Sequence, residues 1–223
     1  MKLTQPDAVK FINQVGLCLT FPDNNKRDPL SLWFALHPRT PMRWEWDQNG
    51  DDRVPDLWVF REGLSRSSKV LYAKWYRGRA TFISKKMAVA LVASLNDMCR
   101  PHFGLSRDAR EILELLEENS PLSTKQLKKL SSKQGKFWES TYQKALKELW
   151  ERLLIVGWGE KDDGAFPSLN MASTKLFFEE LWKNATLMSA DEAHEFVLEQ
   201  LKSSPTMLRF YKQLKIKHLK LRK

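Results

Sequence analysis

The chain has 223 residues, 42% of them hydrophobic and 11% aromatic, which is enough for one large or two small cores and too much for a disordered chain. Its longest apolar run, residues 87–95, falls far short of the roughly 20 residues that cross a bilayer, and Cys18 and Cys99 have no metal-ligand spacing. The net charge of +10 is concentrated in two places: eight basic residues and one acid, Glu62, at 61–86, and eight basic residues with no acid at 202–223. The remainder is net acidic. Charge segregated in this way suits a polyanionic partner, because each neutralised phosphate releases counterions; a solvated surface is the bland alternative. The first residues lack the charged-then-apolar layout of a secretory signal, which points to a cytoplasmic protein with reduced thiols. Both cysteines sit among apolar neighbours, as buried small hydrophobes do.

Residues 4–15 read as a helix. Thr4 can cap it, Pro6 suits its first turn, Asp7 completes a near capping box, and Ala8, Phe11, Ile12 and Val15 share a face. Gly16 ends it, and the apolar run from Leu17 to Phe21 predicts a buried strand. Residues 30–60 hold Trp33, Trp44, Trp46 and Trp58 and are broken by Pro38, Pro41 and Pro55; helical structure near 30–36 and a hairpin-like or irregular stretch both fit. The tryptophans suit packing better than base stacking, since each buries a large apolar area. Val70, Leu71 and Trp75, interleaved with basic residues, predict an amphipathic helix over 65–76. Arg77-Gly-Arg79 then forms a basic turn, Thr81 to Ser84 is extended, and Ser84 caps an apolar helix over 87–98. Pro101 and Gly104 mark a domain boundary, with Ser106 capping the next helix.

After Gly104 the order of elements is more diagnostic. A helix with Ala109, Ile112, Leu113, Leu115 and Leu116 inward is stopped by Asn119-Ser-Pro-Leu122. The capping box Ser123-Thr-Lys-Gln126 opens a short helix, residues 131–135 form a turn, and a third helix runs over 137–153. A strand at 154–158, a tip at 160–165 containing Asp163-Gly164, and a returning strand at 166–171 complete a winged helix-turn-helix. Bound to DNA, such a unit places the front of its third helix in the major groove, offering Lys136, Glu139, Ser140, Gln143 and Lys144, while Lys125, Lys128, Lys129 and Lys133 hold the backbone. Glu139, Glu148, Glu151 and Glu160 make this face less basic than a strong DNA reader requires, so a protein partner is the alternative. Beyond it, Ser189-Ala-Asp-Glu192 opens another capped helix. Residues 205–217 fit a helix by Met207, Phe210, Tyr211 and Leu214, a strand by the alternation from Lys212, or a disordered basic tail.

Val15-Gly-Leu-Cys-Leu-Thr-Phe-Pro22, Leu30-Ser-Leu-Trp33 and the segment from Leu71 to Ser84, followed by the winged-helix pattern, resemble the AlkZ-related bacterial proteins over residues 1–185. These are in turn similar to the AlkZ and YcaQ DNA glycosylases, winged-helix enzymes that excise alkylated bases or unhook crosslinks without a metal. The resemblance implies a catalytic Gln-x-Gln or Gln-x-Asp pair soon after the first helix, where polar groups position water and stabilise charge on the sugar. Matching Gly16-Leu17 and Pro22 to that run puts Leu19 and Phe21 at the polar positions, and neither can do this chemistry. Gln5-Pro6-Asp7 is a literal Gln-x-Asp better explained by helix capping.

The expectation is a mainly α (α+β) protein: an N-terminal helical domain with small β elements over 1–103, a winged helix-turn-helix over 104–185, and a C-terminal helix with a basic tail over 186–223. Its expected partner is double-stranded DNA, contacted by Arg61, Lys74, Arg77, Arg79, Lys125, Lys128, Lys133, Lys136, Ser140, Gln143 and Lys144. If it is a glycosylase, Glu62 and Lys74 are the candidate catalytic groups, beside Arg61, Arg77 and Arg79. No metal or cofactor motif is present; scattered histidines and the pair Asp51-Asp52 fit surface positions.

Overall fold

The computed structural model describes residues 4–44, 50–131, 136–162 and 167–220, apart from the side chains of residues 136, 137, 219 and 220. The protein is mixed α+β, mostly helical, with two small antiparallel three-stranded sheets. Its first half begins with α1 (Gln5–Val15), where Thr4 and Asp7 form a complete capping box and Pro6 lies in the first turn. Gly16, at φ 80°, turns the chain into β1 (Leu17–Leu19), all of it buried. Then follow α2 (Leu32–Leu36), α3 (Arg53–Ser65), β2 (Val70–Tyr76), β3 (Arg79–Ser84) and α4 (Lys85–Leu95), capped by Ser84 as its sequence predicts.

The helix expected over 65–76 is instead the end of α3, a turn, and β2. The sequence misleads here because β2 is sandwiched. Leu71, Ala73 and Trp75 pack into one apolar cluster, Val70 and Tyr72 into another, so the polar-apolar alternation of a half-exposed strand is missing. Lys74 is its one exposed residue. α3 itself begins within the Trp-rich stretch, where the sequence suggests a helix only near 30–36, and runs five residues past it. Cys18 is buried as expected, but Cys99 is exposed, lying in the turns after α4, which ends at Leu95 rather than at 98. Trp33 is fully buried with its indole N–H on the Thr40 carbonyl at 2.8 Å, whereas Trp58 is half-exposed with its ring stacked on Phe21; Trp46 lies outside the described residues.

The second half runs α5 (Arg107–Asn119), β4 (Leu122–Ser123), α6 (Thr124–Leu130), α7 (Lys136–Glu151), β5 (Ile155–Lys161) and β6 (Ser168–Ser173), followed by α8 (Thr174–Phe177), α9 (Glu179–Leu187), α10 (Ala190–Gln200) and α11 (Pro205–Lys220). Ser106 caps α5, and the boxes Ser123–Gln126 and Ser189–Glu192 cap α6 and α10 with both reciprocal bonds made. β5 and β6 pair antiparallel, with β4 on the far edge of β6. The expected turn at 131–135 and the tip with Asp163-Gly164 fall largely outside the described residues. The C-terminal segment, open between helix, strand and tail from its sequence, is helical. Met207, Phe210, Tyr211 and Leu214 are buried along one face of α11, the spacing only a helix gives.

Apolar residues of both sheets, α4, α5, α7 and the C-terminal helices form one continuous cluster. Polar anchors cross it. Arg152 donates to Asn96 Oδ1 at 2.9 Å and to the carbonyls of Phe103 and Pro101 at 3.1 Å, tying the end of α7 to the segment after α4. Asp28 accepts from the Thr206 backbone N–H at 3.0 Å and from the Ser204 and Thr206 hydroxyls, at the N-terminus of α11. A carboxylate there satisfies otherwise unpaired N–H groups and complements the helix dipole.

Candidate nucleic-acid interface

α3 and β2 dock against β5 through a buried polar knot. Arg61 is 2% exposed; its guanidinium donates to Tyr72 Oη at 3.0 Å, pairs with Glu160, and lies 4.3 Å from the centre of the Trp58 ring. Burial disfavours the Arg61 cation, but Tyr72 and Glu160 outweigh it and hold its pKa above the ordinary value. Beside it, Gly159 donates its N–H to Ser65 Oγ at 3.0 Å, and Glu62 pairs with Arg66 while accepting the Glu160 N–H at 3.3 Å. Gly157 lies against the Tyr72 ring so closely that a Cβ there would come within 2.4 Å of it. β5 can approach only because it presents glycine at that point.

The knot fixes the position of β2 against α7. Between them opens a recess of about 380 Å³ lined by Lys74 and Arg77 from the β2–β3 hairpin, Gln143 and Lys147 from α7, and Thr124 at the start of α6, with Leu146, Trp150, Leu169 and Met171 as apolar walls. Lys74 is reachable from the mouth but hemmed in by protein. Burial, and then the positive charge of Arg61, lower its pKa, with Glu160 opposing. Neither Lys74 nor Arg77 makes an ion pair among the described residues, although Arg77 lies 5.2 Å from the centre of the Tyr76 ring. Lys147 sits loosely, 3.8 Å from Glu151.

Of the residues singled out from the sequence, Lys74, Arg77 and Gln143 are therefore brought together. Ser140 and Lys144 are exposed on the same α7 stripe as Gln143, and Lys125 is exposed on α6. Lys128 is paired with Glu139, and Arg79 with Asp23. Lys133 and the Lys136 side chain lie outside the description. Arg61 and Glu62 belong to the knot, and Arg61 has no surface to offer a phosphate. Lys147, Thr124 and Trp150 were missed. Lys147 could have been found, since it lies one helical turn beyond Gln143 and Lys144.

The acidic residues that weaken this face in the sequence are each drawn into internal contacts. Glu139 is held by Lys128 and Gln143, which lower its pKa; Glu148 accepts from Ser106 N–H at 3.1 Å and its hydroxyl at 2.8 Å; Glu151 is buried against Lys217; Glu160 is in the knot. A larger hollow of about 680 Å³ lies elsewhere, among α4, α8, α9 and α10, walled by Val89, Phe177, Leu181 and Phe196 with Lys85 and Lys86 at its edge. It gathers none of the residues that the sequence suggests for DNA contact, and Glu179 and Glu180 balance its lysines. No group of three or more His, Cys, Asp or Glu among the described residues could hold a metal, and no described helix is long and apolar enough to cross a membrane.

A basic α+β protein with a cation-lined recess is the class these features define. Over residues 3–214 the chain matches the protein family described as AlkZ related, and it belongs to that family. The match extends past the stretch on which the sequence resemblance rests, into α11. No curated protein and no solved structure matches the chain.

Proposed function

We propose that the protein binds double-stranded DNA, with residues 104–185 acting as a winged helix-turn-helix behind an N-terminal domain (1–103) and braced by a C-terminal one (186–223). Supporting the winged-helix reading is the order α5, β4, α6, α7 and the β5–β6 hairpin, with β4 closing the sheet. The observation that carries DNA binding is the convergence of unpaired Lys74 and Arg77 with Gln143 and Lys147 of α7 in one recess. The interface is composite: α7 supplies one wall and the β2–β3 hairpin the other. Lys144 and Lys125 extend it along the surface, and Ser140 and Gln143 are the neutral groups suited to base edges.

Four phosphates contacted by Lys74, Arg77, Lys144 and Lys147 give a slope of log affinity against log salt of about −3 to −4. Titrating duplex DNA at several salt concentrations measures it. Affinity independent of salt would contradict the proposal and favour a protein partner. A glycosylase of the AlkZ type gains no support at the expected positions, because Leu19 is buried in β1 and Phe21 packs against Trp44 and Trp58. Asp7 of the literal Gln-x-Asp is engaged in capping α1, with its pKa lowered first by the Thr4 side chain.

A further inference from the structure

We propose that Lys74 captures the aldehyde of an abasic deoxyribose as a Schiff base when DNA lies in the recess between β2 and α7. This rests on the DNA-binding reading and goes beyond it, from holding DNA to a covalent reaction with it. The placement of Lys74 is unlike that of its neighbours. It is the one exposed residue of a strand otherwise buried, so the backbone that carries it is rigid. Its ammonium has no hydrogen bond or ion pair among the described residues, whereas Lys147 across the recess has Glu151 at 3.8 Å and Lys128 has Glu139.

An amine attacks a carbonyl only through its unprotonated lone pair. The protein walls and the Arg61 charge, opposed by Glu160, lower the Lys74 pKa and so raise the fraction in that form, while the protonated remainder still pairs with phosphate on intact DNA. Arg77 lies in the same recess and can hold a flanking phosphate, which would keep the sugar beside Nζ.

The reaction balances without an oxidant or reductant. The Nζ lone pair of the unprotonated amine bonds to C1′ of the ring-opened sugar, the two protons that Nζ loses pass to the carbonyl oxygen, which leaves as water, and a carbon–nitrogen double bond remains. Strand cleavage would require a base to remove a C2′ proton so that the 3′ phosphate departs with its electron pair. The described lining of the recess holds no carboxylate to do so. Capture is therefore expected to outlast cleavage.

The test incubates the full chain with duplex DNA carrying one abasic site and adds sodium borohydride, which reduces an imine to a stable secondary amine. A parallel titration uses a duplex with a tetrahydrofuran residue, which has the shape of the abasic sugar but no aldehyde. The expected result is a crosslinked species with abasic DNA alone, mapped by peptide mass to Lys74, and its yield per bound duplex reduced by about tenfold or more in Lys74→Arg. Intact strands should predominate when the reductant is omitted. Tetrahydrofuran duplex bound without any crosslink on abasic DNA would overturn the capture and leave DNA binding standing. A crosslink mapped to Lys144 or Lys147, or one undiminished in Lys74→Arg, would overturn it as well. Failure to bind the tetrahydrofuran duplex would overturn both readings.

Discussion

The two basic segments carry nearly equal charge in the sequence, yet the fold uses them differently. In the first, Arg61 is taken into the interior, while Lys74 and Arg77 are left unpaired in a recess facing α7. In the second, α11 buries one face, Lys215 donates to the Ser94 carbonyl at 2.7 Å, Lys217 pairs with Glu151 at 2.7 Å, and Lys202 pairs with Glu199. Arg209 and Lys212 stay on its exposed side. Net charge counts both segments alike. What separates them is whether each cation has already found an anion or a carbonyl, since a committed lysine must give up that partner before it can hold a phosphate.

The largest expected effect divides the first segment from within. Arg61→Ala leaves Glu160 and the Tyr72 hydroxyl buried without their partner and should lower stability by about 3–5 kcal/mol, read as a shift in the urea unfolding midpoint. If stability held and only DNA affinity fell, Arg61 would belong with Lys74 and Arg77 after all. Gly157→Ala comes next. The added methyl group meets the Tyr72 ring, with an expected cost of about 1–3 kcal/mol as β5 is pushed off β2.

The second segment is probed through Asp28. Burial works against its carboxylate, but hydrogen bonds from Ser204 and Thr206 outweigh it and hold its pKa below the ordinary value. With the folded pKa depressed, its stabilisation is fully present above the unfolded value of about 4 and is lost as pH falls through the folded one. Asp28→Asn should cost about 1 kcal/mol near pH 7, and the gap from wild type should close below about pH 4 in acid unfolding curves. The DNA salt slope should not move with it; a change would bring α11 into the interface.

Local signals in the sequence carry through to the fold. Thr4, Ser84, Ser106, Ser123 and Ser189 each cap the expected helix, because a cap involves only three or four neighbouring residues. β2 was hidden because two clusters claim its opposite faces, which erases the strand period. α11 was ambiguous because lysines alternate with Leu214 and Ile216 over 212–217 and imitate the period of a strand. The recess itself is half legible: Lys74, Arg77 and Gln143 stand out in the sequence, but in separate segments. What was not legible is pairing across distance. Nothing near Arg61 announces Glu160, 99 residues away, and Glu148 and Glu151 of α7 find partners as remote as Ser106 and Lys217.

The central claim is that availability, not charge, decides which cations meet DNA. It is tested most directly by measuring the salt dependence of duplex affinity for Lys74→Ala/Arg77→Ala beside Lys202→Ala/Lys215→Ala, two committed cations that touch no residue of the recess. Each variant removes two positive charges. The expected result is a slope reduced by about two for the first pair and unchanged for the second. Equal reductions would show that the whole basic surface acts as a diffuse field, and would contradict the assignment of the interface to the recess between β2 and α7.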